Sequence, residues 1–383
     1  MTHWEKLLDR WSKAALLDVP TIERIRAYER DRESSQGLRW PVVLALAFGA
    51  IMLAAGVLLF VAAHWDNLSP TQRFLLVLLM VAVFHVAGAM VAERFHGMAM
   101  ALHGIGTATL GAGIFLTGQI FNLQEHWPAG VLMWAAGAGL GWLLLRDPVQ
   151  ATLFALLGPA WMCSEWDEIM GRFYDPAPFR ILASGILLLA IVYFTCLTNT
   201  RRNPLRIALA WIGGIAVIPA TIALAAEGRD WYYRTELMPS RLLALGWIVA
   251  IIVPLAIAAL LRGKEARIYC VAAIWIVALS SVSATRSESL IFYAWHELGG
   301  YFLCALGAAG LVWWGVHEKR RERINLGVAG FTLTIIVFYF SEVMDKLGRS
   351  ASLMGAGLLF LLVGWFMEKT RRKLVAKVRT AIA

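Results

Sequence analysis

Residues 242–261 read LLALGWIVAIIVPLAIAALL; residues 262–267, RGKEAR, follow, and then residues 268–284, IYCVAAIWIVALSSVSA. The first run carries no charge. A helix rises 1.5 Å per residue, so a run of this length matches a hydrocarbon core about 30 Å thick. Only helices or closed barrels satisfy every backbone N–H and C=O in lipid. The stretch therefore reads as two spanning helices, Leu242–Leu261 and Ile268–Ala284, joined by a short basic connector.

The same alternation extends in both directions. Further spans are expected at Val42–Ala63, Phe74–Ala92, Met98–Phe121, Ala129–Leu145, Val149–Ser164 and Ile181–Leu197, then at Leu205–Ala226, Leu298–Val316, Ile324–Ser341 and Ala351–Met367. Only Arg146-Asp147-Pro148 separates the fourth from the fifth, so that pair also reads as two tilted half-spans. The chain has 383 residues, is 59% hydrophobic and only 16% charged, and has a mean hydropathy of +0.65, whereas soluble domains carry about 25% charged residues. The fold class is thus an all-α polytopic membrane bundle of about twelve transmembrane helices over residues 41–368. A cytoplasmic amphipathic helical hairpin precedes it at residues 1–40, and a basic cytoplasmic tail, 369–383, follows.

Charge distribution sets the orientation. With the N-terminus inside, the inner segments hold 26 of the 35 Lys and Arg residues and the outer loops 9, while the acids divide evenly. This is the positive-inside pattern, and it predicts that both termini are cytoplasmic. The net charge of +9 is a topology signal and an attraction to anionic lipid, and nucleic acid is not needed to explain it. The charged first forty residues predict no cleavable signal peptide.

Within the hairpin, Thr2 and Glu5 have capping-box spacing, and Trp4, Leu7, Leu8, Trp11 and Ala15 form one apolar stripe. Asp18-Val19-Pro20 breaks the pattern before a second stretch bearing Ile22, Ile25 and Tyr28. The hairpin lies against the membrane or docks a protein partner. Cys163, Cys196, Cys270 and Cys304 lack metal-ligand or disulfide spacing and read as packing thiols; no metal or cofactor is expected.

Polar positions in the spans are the candidate sites. The third span carries Thr107, Thr109, Thr117, Gln119 and Asn122 among glycines; with Asp66 and His64 they outline a polar pathway, or else hydrogen bonds between helices. His85 and His103 fall at similar depths, roughly 8–10 Å inside the cytoplasmic boundary, on consecutive helices. Intramembrane ionisable groups are functional candidates, so the two form a proton-responsive pair or two separately bonded histidines. Gly137 and Gly141, and the stripe of Thr109, Gly113 and Thr117, read as helix-packing surfaces. Pro159, Pro219 and Pro254 are expected to kink or break their helices. His64-Trp65-Asp66-Asn67, Glu125-His126-Trp127, Glu165-Trp166-Asp167-Glu168, Arg229-Asp230-Trp231 and Trp295-His296-Glu297 repeat one flavour along the outer loops, as interfacial anchors or as a ligand-binding surface. Ser69-Pro70-Thr71-Gln72 reads as a helix start with a capping box.

The N-terminal third resembles a known family. The matching stretches run from Trp11 through Asp18-Val19-Pro20 to Ile25-Arg26-Ala27-Tyr28, and from Gly49 and Gly56 into Ala62-Ala63-His64-Trp65-Asp66-Asn67-Leu68. Gly118-Gln119-Ile120-Phe121-Asn122-Leu123 and Trp134 follow. Residues 4 to 145 resemble the bacterial predicted-membrane-protein family called domain of unknown function 2157, in which Asn often stands where His64 does here. The resemblance implies a multi-span bacterial membrane protein and brings no activity with it. No span has a mid-membrane Asp or Glu, and no Walker, H-E-x-x-H or G-x-S-x-G motif occurs. The expected role is a non-catalytic envelope or assembly component, not an enzyme, surrounded by membrane lipids. The alternative is a transporter or lipid-translocating protein using the polar third span.

Overall fold

A computed structural model of the chain describes residues 16–35, 69–120, 126–171, 177–197, 203–226, 238–282 and 290–343, with scattered positions at 8–14, 45–59 and 354–369. Every regular element among them is helical. The elements are α1 (Val19–Ser35), α2 (Pro70–Val91), α3 (His96–Ile120), α4 (Pro128–Leu145), α5 (Pro148–Met170) and α6 (Ala177–Phe194). They continue with α7 (Pro204–Ala226), α8 (Ser240–Arg262), a 3₁₀ turn (Gly263–Arg267), α9 (Ile268–Val282), α10 (Leu290–His317), α11 (Arg321–Phe338) and a closing π turn (Tyr339–Val343).

Eight helical stretches among the described residues are long and apolar enough to cross a bilayer, and one of them, Ser240–Val282, contains both α8 and α9. The protein is an all-α polytopic membrane protein. What identifies lipid as the solvent is where the apolar surface lies. Only 11% of the α2 span is buried, and Met90, Leu144 and Leu260 are 80% or more exposed. In water such surface would be an aggregation liability, whereas in hydrocarbon it costs nothing. The expected spans Val42–Ala63 and Ala351–Met367 fall largely outside the described residues. The expected fifth span is the continuous 23-residue helix α5, diluted by Gln150, Pro159 and Glu165, and it is not one of the eight.

Two local expectations are corrected. Glu165-Trp166-Asp167-Glu168 is the last part of α5 and not a loop. The Trp166 ring turns inward against Gly246, with Nε1 donating to Pro178 O at 2.8 Å, and the Glu165 and Glu168 carboxylates accept from the indoles of Trp161 and Trp127 at 2.9 and 3.1 Å. Pro159, Pro219 and Pro254 do not break their helices: each sits inside a continuous one, as spanning helices tolerate when neighbours re-satisfy the freed carbonyl. The break expected at Asp18-Val19-Pro20 is present: residues 16–18 are not helical, and Pro20 falls in the first turn of α1, which needs no proline N–H, with Asp18 O accepting from Thr21 and Ile22. The Ser69 capping box is present as expected: Gln72 N donates to Ser69 Oγ at 3.3 Å, and Ser69 N donates to Gln72 Oε1 at 2.8 Å.

The chain divides into two compact units. Unit 1 takes residues 1–126 and 136–150, and its centre is the α2–α3 hairpin. Small residues set the closeness there: a Cβ on Gly113 would collide with Val77, and one on Gly137 with Leu110. Unit 2 takes residues 127–135 and 151–383. Its interior is built from α6, on which Leu187, Leu188, Val192 and Tyr193 are almost wholly buried, against Leu224 of α7, Ile276 and Leu279 of α9, and Trp314 of α10. Gly213 of α7 faces the backbone of Ala190, Tyr193 and Phe194, so no side chain fits without moving a helix. Gly213→Leu should destabilise unit 2 by about 1–3 kcal/mol through overpacking, read as a lower melting temperature in detergent. Gly49→Leu, where an added Cβ meets nothing within 4 Å, should leave it unchanged.

Candidate functional site: an intramembrane histidine pair

Helices α2 and α3 each carry His-x-x-Gly: His85-Val86-Ala87-Gly88 and His103-Gly104-Ile105-Gly106. The short turn between them closes with Phe95 N donating to Val91 O at 2.8 Å, and the antiparallel register is centred between Phe95 and His96. That register places each histidine over the other helix's glycine. A Cβ on Gly88 would lie 2.9 Å from the His103 ring, and one on Gly106 2.9 Å from the His85 ring. The two rings therefore meet in seats that only glycine leaves open.

Their Nδ1 atoms are 3.1 Å apart, with ring centroids at 5.3 Å and planes at 28°. A neutral imidazole has one N–H and one lone pair, so this contact takes one proton: one Nδ1 donates and the other accepts. A proton on both would set two donors and two positive charges face to face in a low dielectric. The pair holds one shared proton or must separate.

Behind His103 lies a satisfied polar group. Gln150 is fully buried; its Nε2 donates to His103 O at 3.0 Å, and its Oε1 accepts from Thr107 Oγ1 at 2.9 Å. Gly141 provides its space, since a Cβ there would come within 2.8 Å of Oε1. Asp147 caps the start of α5, its Oδ1 accepting from Gln150 N at 3.0 Å and from Val149 N, while its buried Oδ2 has no hydrogen-bond partner among the described residues. The structure thus brings together His85, His103, Thr107, Gln150 and Asp147, of which the last two were not singled out by sequence.

The other polar pathway residues fare differently. Gln119 lies exposed near the far end of α3, and the Thr117 hydroxyl donates to Gly113 O of its own helix at 2.8 Å. Asn122, Asp66 and His64 lie outside the described residues. No group of three or more His, Cys, Asp or Glu that could hold a metal occurs among the described residues.

Unit 2 contains a second buried polar cluster that sequence reading counted only as topology charge. Arg206, Arg262 and Arg323 are buried where α6, α8 and α10 end. Arg206 Nη1 donates to Cys196 O at 2.7 Å; Arg262 Nη1 and Arg323 Nη2 each donate to Thr195 O at 3.0 Å. These carbonyls are orphans of the α6 C-terminus, where positive charge is favoured by the helix dipole. Glu318 balances the charge, at 2.8 Å from Arg262 and 2.7 Å from Arg323, and also accepts from Trp314 Nε1. It is held there by the end of α10, where Lys319 adopts φ 55° and Arg320 N donates to Gly315 O at 2.7 Å. Burial pushes the Glu318 carboxyl up, but the Arg323 charge, with bonds from Trp314 and Arg262, outweighs it and holds the pKa below the usual range.

Residues 9–151 match the model of a family described as "Predicted membrane protein (DUF2157)". No curated protein and no solved structure matches the chain.

Glu318→Gln should cost about 3–5 kcal/mol at neutral pH, because it strips a buried cluster of its central anion. The native carboxylate stabilises fully above the ordinary glutamate pKa, and that contribution disappears as pH falls through its lowered folded value. Acid unfolding followed by tryptophan fluorescence should therefore be shallower for Glu318→Gln than for the wild type.

Proposed function

We propose that this multi-pass membrane protein is a non-catalytic, proton-responsive component of the bacterial cytoplasmic membrane, with His85 and His103 as the responding pair. The observation that carries the reading is the single Nδ1–Nδ1 contact of 3.1 Å between two seated rings. A first added proton fills the free Nε2 of the donor ring and leaves the contact intact; a second makes both Nδ1 atoms donors, and the two cationic rings repel. The strain then falls on the packing of α2 against α3. Acid pH loosens the hairpin, and neutral pH closes it.

The basic excess on the inner segments supports cytoplasmic termini. Residues 1–40 are the docking surface for a protein partner in this reading, and on α1 the side chains of Val19 and Tyr28 are 69% and 65% exposed, open to such a contact. The non-catalytic role rests on the sequence, which holds none of the hydrolase or nucleotide motifs named above.

Histidine side-chain NMR of the full chain in nanodiscs should show the two rings taking up protons in two coupled steps on acidification, with His103→Gln shifting the His85 titration. Amide exchange over residues 70–106 should rise on acidification, and a double His85→Asn, His103→Asn variant should abolish that rise. Two independent titrations, or acid-induced exchange that survives in the double variant, would defeat the reading.

A further inference from the structure

A groove of about 1200 Å³ opens in unit 2 between α7, α9, α10 and α11. It runs from Val282, Gly300 and Ser341 at one end to Ile268, Trp313 and Trp314 at the other. From Gly300 to Trp314 this is about 20 Å of helix, most of one crossing of the hydrocarbon. Ile222, Val271, Leu306 and Val337 stand exposed along its mouth.

The groove's walls offer little polarity to an occupant. The Thr221 and Thr334 hydroxyls donate to Val217 O and Gly330 O of their own helices at 2.7 and 2.9 Å, and Trp275 Nε1 donates to Leu303 O at 2.8 Å. With those donors consumed, the groove fits hydrocarbon chain. Its Ile268 and Trp314 end, by contrast, adjoins concentrated positive charge. RGKEAR, residues 262–267, directly precedes Ile268, and HEKRRER, residues 317–323, closely follows Trp314; each segment is net +2. The Arg262–Glu318 pair at 2.8 Å ties the two segments together, and Lys264, Arg267 and Arg321 are exposed. Trp314 belongs to both regions: it lines the groove, and its ring lies 4.9 Å from the Arg323 guanidinium and 5.7 Å from that of Arg262.

We infer that the groove is a binding site for a phospholipid with an anionic headgroup, its acyl chain lying along α10 and its headgroup against the basic segments 262–267 and 317–323. The histidine pair takes no part, so this site and the proton response stand or fall separately.

Native mass spectrometry of the full chain, released from nanodiscs holding equal amounts of phosphatidylglycerol and phosphatidylcholine, tests the assignment. Basic residues near the membrane surface favour an anionic lipid, so the wild type should retain phosphatidylglycerol about tenfold over phosphatidylcholine, a difference of about 1.4 kcal/mol. Gly310 lines the groove and an added Cβ meets nothing within 4 Å, so Gly310→Phe should fold and lose both lipids. A Lys264→Gln, Arg267→Gln double variant should keep a bound lipid and lose the preference. Equal retention of the two lipids by the wild type would overturn the assignment. So would undiminished retention by Gly310→Phe, or an unchanged preference in the double variant.

Discussion

A helix that ends at the edge of hydrocarbon leaves its last carbonyls without partners, and connectors of a few residues bring no water to them. In unit 2 this constraint is met by Arg206, Arg262 and Arg323, which reach the carbonyls of Thr195, Cys196 and Leu197 and join the ends of three helices at one place. The guanidiniums need a counter-charge once buried, which fixes Glu318 and thereby the end of α10. Arginines that the charge count reads only as a topology signal are therefore also ones that assemble unit 2.

Unit 1 treats buried polarity in the opposite way. Where the arginine cluster is held by charges that no physiological pH alters, the histidine contact is a single hydrogen bond between two rings. Gln150 and Thr107 complete each other without charge, while the Asp147 Oδ2 beside them has no hydrogen-bond partner among the described residues.

Much of this was legible in the sequence, for identifiable reasons. The spans follow from length and apolarity, and the Ser69 box follows from local spacing. The nearness of His85 and His103 could be anticipated because a short turn between antiparallel helices converts residue number into depth. The arginine cluster could not, since its acceptors are backbone carbonyls, which carry no residue signature. Gln150 was hidden because its partners, Thr107 and a carbonyl at His103, are more than forty residues away. The length of α5 was misjudged where acids follow Ser164, because their carboxylates are taken up by Trp161 and Trp127 and the helix continues. The groove is a shape left by several helices, and no stretch of sequence announces it.

The mirrored His-x-x-Gly arrangement has a consequence for how the gene can vary. Both rings and both seats refer to one point in the turn between Phe95 and His96, so adding or deleting a single residue there rotates α3 by about 100° and unseats both rings at once. Point changes on the lipid-facing side of α2 and α3 are cheap by comparison. Across evolution this hairpin should drift freely in side-chain identity while its turn keeps one fixed length.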